Sequence, residues 1–109
     1  MSRPYSPQFL SGLNQADDTY RIGYRMAKLC VTARLPAKYV AAAMEVSRAT
    51  IHNWFRGAVL RGKNEDMALA FIRLVQKDLE AGVLPAKSVK EAKAYIEDMI
   101  GRTIWKNYL

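Results

Sequence analysis

The stretch from Ala37 to Gly57, AKYVAAAMEVSRATIHNWFRG, constrains the fold of this chain more than any other. Apolar residues recur at helical spacing from Tyr39 to Met44, and that pattern breaks at Glu45. A second helical pattern begins at Ser47, whose side chain is well suited to cap a helix. The sequence therefore predicts two short α-helices joined by a tight turn.

The second of these helices has two chemically different sides. Successive residues of an α-helix turn by about 100°, which sorts the segment into two arcs that do not mix. One arc collects small and polar residues, namely Arg48, Ala49, His52, Asn53 and Arg56. The other arc collects Ser47, Thr50, Ile51, Trp54, Phe55 and Ala58. The more apolar arc is predicted to pack inward, which leaves two arginines, an imidazole and an amide facing outward.

The start of the second helix carries an unusual charge. The Ser47 hydroxyl is expected to accept a hydrogen bond from a free amide of the first turn, which contributes about 1 kcal/mol. Arg48 in the same turn opposes the helix dipole at a cost of roughly 0.3 to 1 kcal/mol. An anionic partner at this end of the helix would offset that cost.

The pattern of small and apolar residues around the turn resembles the phage repressor and Cro-like (XRE-type) helix-turn-helix proteins. Its members here are Ala41, Val46, Ile51 and Trp54, with Ser47 at the cap and Arg56-Gly57 at the close. The resemblance covers residues 37–57 and implies a repressor-like fold in which the tryptophan packs beneath a recognition helix. Glu45 departs from the pattern. The family usually has glycine at this position because the backbone there tends toward φ > 0, a conformation that costs any other residue about 1 to 2 kcal/mol.

The resemblance also implies binding to double-stranded DNA, with the recognition helix in the major groove. The residues expected to read bases are Ser47, Arg48, Ala49, His52 and Asn53. The residues expected to contact phosphate are Lys38, Thr50, Arg56, Arg61 and Lys63. The alternative is that these residues bind no DNA, because all of them are ordinary surface residues. The outer helix face and the charged loop after it would then simply be exposed to solvent.

Composition supports this hypothesis without deciding it. The chain has 109 residues, a net charge of +7 and a pI near 9.8, and residues 1–57 hold eight Lys or Arg against three Asp or Glu. An excess of positive charge favours binding to polyanions, but it does not show which polyanion is bound. The sequence has no apolar run of membrane-spanning length and no signal-peptide pattern at its start, so a cytoplasmic protein is expected.

Catalysis and metal binding find little support in the residues. The chain has one cysteine, Cys30, and one histidine, His52. This set offers neither an internal disulfide nor a cluster of metal ligands, and Cys30 lies in an apolar helical pattern that predicts a buried thiol. No cofactor is expected, and the chain is not expected to be an enzyme.

The rest of the chain predicts an all-α protein of about five helices. Residues 1–16 are expected to form an irregular arm and residues 17–109 a single helical domain. Asp17 or Asp18 is expected to cap a first helix that runs to Thr32, whose outer side carries Arg21, Arg25 and Lys28 either as a solvated face or as phosphate contacts. Later helices are predicted over residues 65–80, capped by Asn64, and over residues 88–100, headed by Ser88, with an apolar line of Val89, Ala92, Ile96, Met99 and Ile100.

The C-terminal segment is heavily apolar, with Ile104, Trp105, Tyr108 and Leu109. These side chains are expected either to fold back on the core or to form an oligomer or partner surface. The predicted function is a small transcriptional regulator of phage or prokaryotic type, acting as a homodimer on DNA. The alternatives are a DNA-packaging or recombination adaptor and a protein-interaction module that uses the two helices as a scaffold.

Overall fold

The computed structural model of the chain describes residues 5–10 and 21–102, and these residues form helices and loops without a β-strand. The predicted all-α class is confirmed. A short helical segment occupies residues 7–10. The five longer helices are α1 (Ile22–Ala33), α2 (Ala37–Met44), α3 (Arg48–Phe55), α4 (Lys63–Glu80) and α5 (Val89–Arg102).

One continuous core joins the helices. α1 packs against α3 and α4, while α2 packs against α3 and α5 and touches α4. The longest helix, α4, shows why the sequence folds this way, because Met67, Phe71, Leu74 and Val75 recur at helical spacing and are all buried. Among the five longer helices, α3 packs mainly against α1 and α2.

Both helices that precede α3 end in a residue with left-handed backbone. Arg34 after α1 has φ 60° and Glu45 after α2 has φ 59°. Each conformation turns the chain back so that a following amide closes the helix end, from Leu35 to the Cys30 carbonyl (2.9 Å) and from Val46 to the Ala41 carbonyl (3.0 Å). The positive φ expected at Glu45 is therefore confirmed.

Replacing Glu45 by glycine is expected to raise the free energy of unfolding by up to about 1 kcal/mol. The change relieves about 1 to 2 kcal/mol of left-handed strain, less the extra backbone freedom of glycine in the unfolded chain. Urea unfolding followed by circular dichroism measures the difference. Glu45→Gln controls for the lost charge, and Ala42→Gly, inside α2, is expected to destabilise by roughly 0.5 to 1 kcal/mol. Equal losses in Glu45→Gly and Ala42→Gly would contradict the left-handed turn.

Two predicted helix starts are wrong. α1 begins at Ile22, later than the predicted caps Asp17 and Asp18, because the backbone of Arg21 is extended (φ −114°, ψ 110°). The caps themselves lie outside the described residues. α4 begins at Lys63, before Asn64, which therefore lies inside the first turn and makes no cap. Gly62 explains the earlier start, since its φ of 57° and ψ of −129° form a turn that suits glycine.

The expected irregular arm is also wrong for the part of it that the structure describes. Tyr5 is 7% exposed, and its hydroxyl donates a buried hydrogen bond to the Leu35 carbonyl at 2.8 Å. Its ring stacks on Phe9 at 5.2 Å between centroids and lies 6.4 Å from the ring of Phe55 in α3. Aromatic burial therefore fixes residues 5–10 to the core beside the inner face of α3.

The fifth helix is confirmed with a change at its edges. The Glu91 amide donates to the Ser88 hydroxyl at 3.1 Å, so Ser88 is the predicted cap. Ala92, Ile96 and Met99 are buried, as the apolar line predicts. Its two outer members are exposed instead, Val89 at 44% and Ile100 at 41%, because only the middle of the line faces α2.

Candidate functional site

The N-terminal end of α3 is held by a two-way contact between side chain and backbone. The Ser47 hydroxyl accepts from the Thr50 amide at 3.1 Å, which confirms the predicted cap. The same hydroxyl donates its proton to Thr50 Oγ1 at 2.9 Å. This arrangement uses the Ser47 proton within the turn and leaves the proton of the Thr50 hydroxyl available to a ligand.

The division of α3 into an inner and an outer face is confirmed along the helix itself. Ile51, Trp54 and Phe55 are buried, at 0%, 5% and 1% exposure. The outer face bears Arg48, Ala49, Asn53 and Arg56 as exposed residues, with His52 half-buried. Thr50 is half-buried at the boundary between the two faces.

Two residues of the predicted inner arc are exposed instead. Ser47 and Ala58 both lie on the surface. The reason is that helical angles apply only within a helix, while Ser47 precedes the first turn of α3 and Ala58 follows its last. The face that α3 presents to solvent is therefore slightly larger than the sequence predicts.

The C-terminal end of α3 lies directly against the first turn of α1. A Cβ atom placed on Gly23 would lie 2.7 Å from the carbonyl carbon of Trp54 and closer still to its oxygen, so only glycine fits there. The neighbouring Tyr24 hydroxyl donates to the Arg56 carbonyl at 2.8 Å. Gly57, with φ 104°, passes so close to the Tyr24 ring that a side chain would overlap it. Backbone contact on one side and a hydrogen bond on the other thus set the angle of α3.

Gly23 and Tyr24 were not predicted to position the site. A glycine near the start of a helix whose other residues are apolar or basic is a signal of close backbone approach, because it otherwise costs helix stability. Nothing in the sequence identifies Trp54 as the partner, since residues 23 and 54 meet only once α1 and α3 have packed. The contact is therefore a property of the folded chain.

The segment of the chain that contains α3 is strongly basic. Residues 21–63 contain nine Lys or Arg and a single acidic residue, Glu45. The first turn of α3 has no acidic side chain, so the positive end of its dipole adds to the charge of Arg48. An ion pair within the described residues, Lys93 with Glu97, lies on α5.

The residues expected to contact phosphate lie on three separate elements. Arg56 ends α3, Lys38 lies in the first turn of α2, and Lys63 is the first residue of α4. All three are exposed, as is Arg61 in the connecting loop. The Lys38 ammonium lies 5.0 Å from the centroid of the Tyr39 ring, a distance that permits a cation–π contact.

Other candidate sites are weaker. Burial raises the pKa of the Cys30 thiol and of the Tyr5 hydroxyl well above their ordinary values, so both remain protonated and Cys30 is the buried thiol that the sequence predicts. Within residues 5–10 and 21–102, no group of three or more His, Cys, Asp or Glu is placed to bind a metal ion. No helix in the described ranges has both the length and the hydropathy of a membrane span. The C-terminal residues Ile104, Trp105, Tyr108 and Leu109 lie outside the described part of the chain.

Comparison of the chain with protein-family models, with curated proteins and with solved structures finds no match in any of the three.

Proposed function

We propose that this chain is a small regulator that binds double-stranded DNA sequence-specifically through α2 and α3, without catalysis and without a cofactor. The observation that carries the proposal is the outer face of α3, where Arg48, Asn53 and Arg56 are exposed while the opposite face is buried. α3 packs mainly against α1 and α2 among the longer helices, and its outer face stays exposed in the described part of the chain. The resemblance of the α2–α3 segment to XRE-type proteins supports the same function.

The major groove of DNA admits an α-helix and presents a different pattern of donors and acceptors for each base pair. With the N-terminal end of α3 in the groove, Arg48 pairs with the two acceptors of a guanine and Asn53 with the donor and acceptor of an adenine. Ala49 contacts a thymine methyl group. His52 and Ser47 complete the base-facing set, with Ser47 restrained by its bonds to Thr50.

The flanking residues bind the phosphate backbone in this arrangement. The free proton of the Thr50 hydroxyl is directed to phosphate, and Arg56 holds the backbone at the other end of α3. Lys38, Arg61 and Lys63 extend the basic surface to either side. Contacts of this kind fix the position of a protein on DNA and give its affinity a strong dependence on salt.

The proposed regulator acts as a homodimer on two half-sites about one helical turn of DNA apart, as XRE-type proteins do. The proposed location is the cytoplasm, that of the host cell if the chain is phage-encoded. Analytical ultracentrifugation with and without a selected duplex measures the stoichiometry. A single chain per duplex would remove the homodimer from the proposal.

Arg48→Ala and Arg56→Ala are expected to weaken DNA binding in different ways. Selection from random duplexes first identifies the preferred sequence, and fluorescence anisotropy then gives affinities for selected and shuffled DNA. Arg48→Ala is expected to lose about 1 to 3 kcal/mol of discrimination at one base pair. Arg56→Ala is expected to weaken both duplexes equally and to lower the slope of log affinity against log salt by about 0.9.

Arg73→Ala on α4 is the matched control, since it removes an exposed arginine from a helix that does not pack on α3. Its affinity for both duplexes is expected to equal that of the unchanged chain. Equal affinity of the unchanged chain for selected and shuffled DNA would exclude sequence-specific binding.

A further inference from the structure

We infer that α1 carries a second row of contacts to the DNA backbone, formed by Arg21 and Arg25 and continuous with Arg56 at the end of α3. The inference rests on the proposed function and deepens it, because it assigns a phosphate-binding role to a helix outside the α2–α3 pair. Three observations carry it, namely the position of the row, its charge and its spacing.

The position of the row follows from the contacts between α1 and α3. Viewed along α1 with Tyr24 at zero, Lys28 and Arg25 lie at roughly 40° and 100°, and Arg21 is the cap residue directly before the first turn. The buried residues lie on the other side of Tyr24, with Ala27 at roughly −60° and Gly23 at roughly −100°. Since Gly23 meets the Trp54 carbonyl and Tyr24 bonds to the Arg56 carbonyl, the basic side of α1 begins where the end of α3 touches it.

The charge of the row is not balanced within its own region. Arg21 and Arg25 are both exposed, and residues 21–44 contain no aspartate or glutamate. Cations near a helix N-terminus oppose its dipole. Arg21 caps α1, Arg25 lies in its first turn, and that turn has no acidic residue. A polyanion lying along this edge would offset the cost of these two cations to the helix.

The spacing of the row suits the DNA backbone. The Arg25 amide donates to the Arg21 carbonyl at 3.2 Å, so the two residues stand about one helical turn, or about 6 Å, apart, and one strand of DNA carries a phosphate for every 3.4 Å of rise. The two guanidinium groups therefore reach different phosphates of one strand. With α3 in the major groove, the row extends the contact of Arg56 along the edge of the groove, and it adds affinity without reading bases.

The test is the double variant Arg21→Ala/Arg25→Ala, assayed by fluorescence anisotropy on the selected duplex and on its shuffled counterpart. Loss of two phosphate contacts lowers the salt slope by about 1.8. The ratio of the Kd at 200 mM salt to that at 50 mM therefore falls about twelvefold relative to the unchanged chain. The ratio of the affinities for selected and shuffled DNA is expected to stay unchanged.

The controls separate local contact from overall charge. Arg73→Ala/Lys77→Ala removes two exposed cations at the same spacing from α4, and its salt ratio is expected to match the unchanged chain. Arg21→Lys/Arg25→Lys keeps the charge and is expected to keep most of the slope. Circular dichroism confirms that each variant folds.

The outcomes distinguish this inference from the proposed function. If the double variant keeps the slope of the unchanged chain, or if the α4 pair lowers it equally, α1 is not a contact surface while sequence-specific binding stands. If the unchanged chain binds all duplexes equally and the double variant lowers the slope, the phosphate contacts of Arg21 and Arg25 are supported and sequence-specific regulation is refuted. If the unchanged chain binds no DNA, the phosphate contacts and the proposed function are both refuted.

Discussion

Replacing Gly23 by alanine is expected to lower the free energy of unfolding by about 3 kcal/mol or more. The added Cβ would lie 2.7 Å from the Trp54 carbonyl carbon and 3.3 Å from its Cα, and these are backbone atoms that no change of rotamer can move. The clash is relieved only by shifting α3 away from α1, which opens the packing around the buried Trp54. Urea unfolding followed by circular dichroism measures the loss.

Gly101→Ala supplies the matched control. Gly101 lies within α5, and no described residue outside the backbone of its own helix lies within 4 Å of the position that its Cβ would take. Alanine there is expected to raise stability by roughly 0.5 to 1 kcal/mol, because glycine is the poorer helix former. Equal stability of the Gly23→Ala and Gly101→Ala variants would refute the close crossing of α1 and α3.

The same variant links the fold to the proposed interface. Gly23 lies at the crossing that sets where α3 stands relative to Arg21 and Arg25. A Gly23→Ala chain that keeps its helices is therefore expected to lose DNA affinity as well, because Arg56 at the end of α3 would be displaced from Arg21 and Arg25. Rigid placement of contact residues matters more than their mere presence.

The sequence predicts the α2–α3 segment well because its signals are local. The helix predicted before the break at Glu45 is found at Ala37–Met44, and the Ser47 cap is formed. The positive φ at Glu45 is also found, even though glycine would adopt it more easily. Cap, turn and apolar spacing act within a few residues of each other, so they can be recognised without knowing the rest of the fold.

The errors fall where several local signals compete. Asp17, Asp18 and Asn64 are all suitable cap residues, yet α1 begins after an extended Arg21 and α4 begins after the turn at Gly62. Which of several possible starts a helix uses depends on the packing of its first turn, and that is decided by the tertiary fold.

The sequence predicts which residues belong to the candidate site but not how they are arranged in space. The spacing within α3 identifies which side chains share its outer face. It does not give the angle of α3, because that angle depends on Gly23 and Tyr24, about 30 residues away in the chain. The partial burial of His52 likewise depends on its neighbours in the folded chain.

Replacing Tyr5 by alanine is expected to lower the free energy of unfolding by about 3 kcal/mol, a large loss for a residue so near the N-terminus. Its ring is buried between Phe9 and Phe55, and its hydroxyl satisfies the Leu35 carbonyl between α1 and α2. Tyr5→Phe keeps the ring and removes only that hydrogen bond, so it is expected to cost about 1 to 1.5 kcal/mol. Because Phe55 lies on the inner face of α3, Tyr5→Ala is also expected to increase amide hydrogen exchange in α3 more than in α5. If Tyr5→Ala is as stable as the unchanged chain, the N-terminal segment is not part of the core, and α3 is supported by α1 and α2 alone.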